Sequence, residues 1–99
     1  QTDYGAAVLE FTANCNEQGQ PVLSFSPSSA VAQYQVIRVL DGQETCLDTL
    51  SYQQSLSYTD TTAPMEQNLQ YYIQPINAEG EKTGTASQRI MIRPMKPVP

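Results

Sequence analysis

Leu69-Gln70-Tyr71-Tyr72-Ile73-Gln74-Pro75-Ile76-Asn77-Ala78-Glu79-Gly80 decides how this chain folds. Leu69, Tyr71 and Ile73 fall at every second position, between Gln70, Tyr72 and Gln74. That is the period of a strand buried on one face, not the three-and-four spacing of a helix. Asn77 to Gly80 is turn chemistry: Asn bonds its own backbone two residues on, and Gly accepts a positive φ. Working outward, Leu9, Phe11, Ala13 and Cys15 alternate with Glu10, Thr12 and Asn14, and Leu23 and Phe25 alternate with Ser24 and Ser26 as far as Pro27. Tyr34, Val36 and Arg38 alternate with Gln35, Ile37 and Val39, so this run has apolar character on both faces and reads as a central strand. Asp41-Gly42 is a hairpin signal. Leu56 and Tyr58 lead into Asp60-Thr61-Thr62 and Pro64, and Ile90 and Ile92 mark a last strand around Met91.

Six or seven short strands with turn signals between most of them, and no helical stretch, predict an all-β fold. The expected form is an antiparallel β-sandwich of about seven strands. Ninety-nine residues suffice for one core and not for two. No repeat of the length that builds a solenoid is visible. Residues 1–93 read as the domain. Prolines recur through Arg93-Pro94-Met95-Lys96-Pro97-Val98-Pro99, so 94–99 reads as a stiff linker or tail, which implies a neighbouring domain. No signal-peptide pattern opens the chain, and Gln1-Thr2-Asp3 reads as a processed end or the boundary of a piece.

Composition narrows the chemistry. Ten acidic and five basic residues give a net charge of −5, which argues against a nucleic-acid partner, since phosphate backbones need a basic face. No run approaches the roughly 20 apolar residues of a membrane span. There is no His, so an ordinary catalytic triad cannot be assembled. Lys82 and Lys96 fall in a turn and a tail, away from any serine dyad. Asp41, Glu44 and Asp48 read as solvated carboxylates rather than a glycosidase pair. Glu79 with Glu81, and Asp60 with Glu66, lack the acidic density of a calcium loop. The expectation is therefore no catalytic residue, no metal and no cofactor.

Cys15 and Cys46 stand too far apart for a zinc or Cys-x-x-Cys site; they are either a disulfide closing a loop of about 30 residues or two reduced thiols behaving as small apolar side chains. Cys15 falls in phase with Leu9, Phe11 and Ala13, a core-facing position either way. Tyr72, out of phase with the core face, and Tyr52, in a polar stretch, are the candidate ligand-binding residues, since an exposed tyrosine can stack on a sugar ring or anchor an interface. The competing reading is that Tyr72 simply covers a sheet face. Asp48-Thr49-Leu50 and Asp60-Thr61-Thr62 resemble short O-glycosylated sequences of some bacterial envelope proteins, and equally read as Asp-capped turns. No Asn-x-Ser/Thr acceptor and no Arg-Gly-Asp occurs.

The order of these runs resembles a fibronectin type III domain, particularly those of bacterial extracellular proteins, from about Ala7 to Ile92. Val22-Leu23-Ser24-Phe25-Ser26-Pro27 is similar to the family's B strand, with Phe25 where a Trp usually sits. Val31 and Tyr34-Gln35-Val36-Ile37-Arg38 resemble strand C, and Ser57-Tyr58-Thr59-Asp60 the end of strand E. Tyr71 to Gly80 resembles strand F and the F–G turn, and Ser87 falls just before strand G. The family's strand-F tyrosine maps to Leu69, so its tyrosine-corner bond is expected to be absent or supplied elsewhere. Pro75 near the end of a central strand calls for a bulge or an early strand end. The resemblance places the A–B and C–C′ turns at one pole, which brings the two cysteines together and favours the bridge. It implies a non-catalytic extracellular, secreted or cell-surface module acting as a spacer or adhesion-type protein-interaction domain of a larger protein. Its partners would be neighbouring domains of the same chain and a protein or glycan ligand; the alternative is a carbohydrate-binding module. Twelve glutamines give the weakly charged, polar surface that suits such a spacer.

Overall fold

The computed structural model describes residues 8–27 and 33–95. The chain start, Val31 and the tail from Lys96 lie outside the described residues. Seven strands are described: β1 (Val8–Cys15), β2 (Pro21–Pro27), β3 (Gln33–Leu40), β4 (Gln43–Ser51), β5 (Leu56–Thr59), β6 (Leu69–Ile76) and β7 (Ile90–Ile92). They form two antiparallel sheets, β1-β2-β5 and β4-β3-β6-β7. The fold is an all-β sandwich.

The core follows from the alternation. Leu23, Phe25, Tyr34, Val36, Leu56, Leu69, Tyr71 and Ile73 are buried together between the sheets. Phe25 is held edge-on by Phe11 (ring centroids 6.4 Å apart) and by Tyr34 (5.7 Å), a geometry that aromatic quadrupoles favour. Phe11 reaches this cluster from a bulge, where the β1–β2 register shifts between Leu9 and Thr12 and Glu10 adopts φ 53°.

Two turns are built alike, one at each end of the sandwich. Asn16 Oδ1 accepts the amides of Gln18 and Gln20, and its Nδ2 donates to Gln20 Oε1. Asn77 Oδ1 accepts the amides of Glu79 and Glu81, and its Nδ2 donates to Glu81 Oε1. Gly19 and Gly80 occupy the fourth position of each turn at φ 80° and 84°, where a Cβ would be strained.

Pro75 is buried within an unbroken β3–β6 register, opposite Tyr34, so β6 neither bulges nor ends early. In an antiparallel strand a residue's N and carbonyl point the same way. The Pro75 carbonyl accepts the Thr83 amide, so its hydrogen-less nitrogen faces the irregular segment before β7 and not the β3 ladder. That segment is stitched to β6 by Ser87, whose amide donates to the Ile73 carbonyl and whose Oγ accepts the Ile73 amide.

Val8 pairs with Pro27 and Gln33 with Ile76, so the described chain enters at the pole where β2 and β6 end. Leu69 pairs with Ile92, so β7 runs out at the opposite pole. Pro94, expected in the linker, is fully buried there, and its carbonyl accepts the Glu66 amide at 2.7 Å. Packing thus continues into the stretch read as tail.

Candidate functional site

Arg38 lies on the inward phase of β3, where a guanidinium needs an acid. Its Nη1 donates to Asp60 Oδ2 at 2.9 Å and to Thr62 Oγ1 at 3.1 Å. Tyr71 Oη donates to the same Asp60 oxygen at 2.6 Å. The Thr62 amide and hydroxyl both donate to Asp60 Oδ1, at 3.0 and 2.8 Å, and the Asp60 amide donates to the Pro21 carbonyl. Burial alone would raise the Asp60 carboxyl, but the bonds from Tyr71, Thr62 and Arg38 outweigh it and hold it below the usual carboxylate range. Burial, then the Asp60 carboxylate, push the Tyr71 phenol up. The cluster joins β2, β3, β6 and the β5–β6 loop at one pole. Leu69, to which the resemblance maps the corner tyrosine, carries no hydroxyl, and the buried hydroxyl on β6 is that of Tyr71, bonded to a side chain.

In Asp60-Thr61-Thr62, Asp60 and Thr62 are engaged in this cluster, whereas Thr61 is exposed. In Asp48-Thr49-Leu50, Asp48 Oδ1 accepts the Thr49 amide, and both residues are exposed.

Tyr72, expected to be exposed, is buried at 9%. It sits on the outer face of the second sheet with Ile37 and Val39. Its hydroxyl donates to Glu44 Oε1, and the Arg89 guanidinium lies over its ring, 5.0 Å from the centroid. Burial and the Glu44 contact raise its phenol, against a smaller lowering by Arg89. Arg89 also reaches Gln70 Oε1 at 3.2 Å and Glu44 Oε2 at 3.4 Å. With hydroxyl and one ring face occupied, Tyr72 offers no stacking platform. Tyr52 is 41% exposed just beyond β4, two strands across and about five residues along, on the order of 20 Å away. The structure does not bring the two candidate tyrosines together.

The cysteines are free, and both are exposed. The favoured bridge is corrected by strand order. Cys15 is on β1, which packs beside β7, whereas Cys46 is on β4, at the far edge of the other sheet. Three strand spacings separate those edges, about 14 Å, with about 10 Å more between layers; a disulfide spans Cα atoms only about 4.4–6.8 Å apart. The inward phase that the alternation assigns to Cys15 fails because the residue stands at the last pair of β1, opposite Pro21, beside the turn. Cys46 pairs with Ile37 on the outer face and donates its Sγ–H to the Asp48 carbonyl at 3.6 Å.

No three of the His, Cys, Asp and Glu side chains among the described residues converge as a metal set. No described helix is long and apolar enough to cross a membrane. The sequence reading missed the Arg38–Asp60–Tyr71 and Arg89–Tyr72–Glu44 clusters. The signal for the first was an arginine on a core-facing phase; the second had none, because its members come from two strands and the segment before β7, far apart in sequence. The chain matches no protein-family model, and no curated protein matches it.

Proposed function

We propose that this chain is a fibronectin type III-like, non-catalytic spacer and protein-interaction module of a larger extracellular protein. The observation that carries this reading is its polarity. Val8 and Pro94 lie at opposite poles of a body measuring 52 × 27 × 23 Å, so a chain threaded through it gains the long axis as contour. The position of β4 beside β3 agrees with the C–C′ turn of the resemblance. Buried Pro94 and its bond to Glu66 aim the exit. A pull on the two ends runs along β1 and β7, so their ladders are loaded in shear, with the bonds sharing the force. The extracellular setting rests on the resemblance and on the glutamine-rich surface.

Two copies joined through residues 94–99 test the spacer role in dilute solution by small-angle X-ray scattering. The expected maximum dimension is about 100 Å, twice the single long axis. A folded tandem with a maximum dimension close to that of one body would overturn it.

A further inference from the structure

The four-stranded sheet carries opposite charge on its two edges. From Asp41 to Glu66 the sequence holds five acidic residues and no basic one; from Lys82 to Pro99 it holds four basic residues and no acidic one. The only other base, Arg38, is tied to Asp60. Strand order places β4, with Glu44 and Asp48, at one edge, and β7, flanked by Arg89 and Arg93, at the other. Among the described residues, neither strand has a second ladder partner.

Charges on an edge strand guard it against pairing with itself. Two β4 edges would set acids against acids, and two β7 edges bases against bases. Because the signs differ, nothing guards β4 of one copy against β7 of another. β4 runs towards the entry pole and β7 away from it, so a sideways shift of one copy sets the two strands antiparallel. Met91, 63% exposed on β7, would gain apolar cover there. The bond between Glu44 and Arg89 within one copy, 3.4 Å long with both side chains about half exposed, is weak enough to exchange for one between copies.

We propose that β4 of one copy pairs with β7 of a second copy, continuing the sheet from molecule to molecule. The contact is heterologous and so builds open rows rather than a closed dimer. It is short, so it acts where copies are crowded.

Sedimentation equilibrium of the reduced chain tests this. The wild-type weight-average mass is expected to climb to about twice that of the monomer near about 1 mM, and to fall back as salt rises from about 0.05 to 0.5 M. Asp48→Lys against the remaining Glu44 cancels the net charge of the β4 edge, and Arg93→Glu against the remaining Arg89 cancels that of the β7 edge, so each variant is expected to stay monomeric alone. Mixing the two restores association, which a misfolded variant could not do; unchanged near-ultraviolet circular dichroism checks the fold. A wild-type mass independent of concentration overturns the proposal. So does self-association of either variant, or a monomeric mixture. Capture of a Lys/Arg-rich extended peptide on β4 without self-association assigns that edge to a different chain and overturns it as well.

Discussion

Tyr71→Phe isolates one bond of the buried cluster. Tyr71 is fully buried, and phenylalanine keeps its ring, so no cavity opens. What is lost is the hydroxyl bond to Asp60 Oδ2, 2.6 Å long, while Arg38 and Thr62 still hold the carboxylate. A hydrogen bond to a charged group is worth roughly 1.5–3 kcal/mol, which in a chain of this length lowers Tm by roughly 6–24 °C. Urea and thermal unfolding at neutral pH measure it. The pH dependence gives a second, independent check. Because the folded carboxyl is held below its ordinary value of 3.8, its contribution is complete above that value and is lost as pH falls through the folded pKa. The phenol is one of the groups lowering it, so in the variant Asp60 titrates at higher pH than in the wild type. The stability gap is therefore wide at neutral pH and narrows on acidification below about pH 4. A gap under about 0.5 kcal/mol at neutral pH, or one that widens on acidification, would refute an ionised Asp60 as the acceptor.

Asp60→Asn removes the charge from the same site and leaves the largely buried Arg38 guanidinium, 16% exposed, without its carboxylate. Its loss in urea unfolding is expected to exceed that of Tyr71→Phe, at about 3–5 kcal/mol. Asn16→Ala and Asn77→Ala each delete the three side-chain bonds of one turn and should lose about 1 kcal/mol apiece in urea unfolding. The double variant should lose the sum, because the turns lie at opposite poles. Under native conditions a thiol reagent should titrate both Cys15 and Cys46 in full, and the intact mass should not change on reduction; a gain of two daltons would restore the bridge. Arg89→Ala should lower stability by less than about 1 kcal/mol, since its charge partner is half exposed, while raising the accessibility of Tyr72 to solvent perturbation.

The strands that face one core were legible, and the reasons are visible residue by residue. Leu69, Tyr71 and Ile73 point inward as their period says. Tyr34 to Val39 is central as its two apolar faces require, between β4 and β6. β4 was hidden. The β3–β4 register skips Leu47, so Leu47 and Leu50, three apart in sequence, both pack on the core. A bulge breaks the period of two, and most other β4 side chains are exposed, so no alternation survives to be read. Tyr72 was misjudged for the opposite reason. Period assigns it to the outer face correctly, but an outer face is buried when Arg89, Glu44 and Ile37 close over it, and those partners lie far away in sequence. The cysteines required strand order as well: a shared pole does not imply a shared edge.

Charge shows the same limit in another form. Summed over the chain, −5 only argues against a phosphate backbone as a partner. The sum erases that acids crowd the middle of the sequence and bases its last eighteen residues. Even that segregation has no consequence until topology acts on it. Were β4 placed beside β5 instead of β3, the acidic strand would lie in the other sheet, and the four-stranded sheet would lose its acidic edge. Because the third and fourth strands form a hairpin within the sheet that ends in β7, a segregation along the chain becomes a polarity across one sheet. Neighbouring copies can then distinguish its two edges by sign.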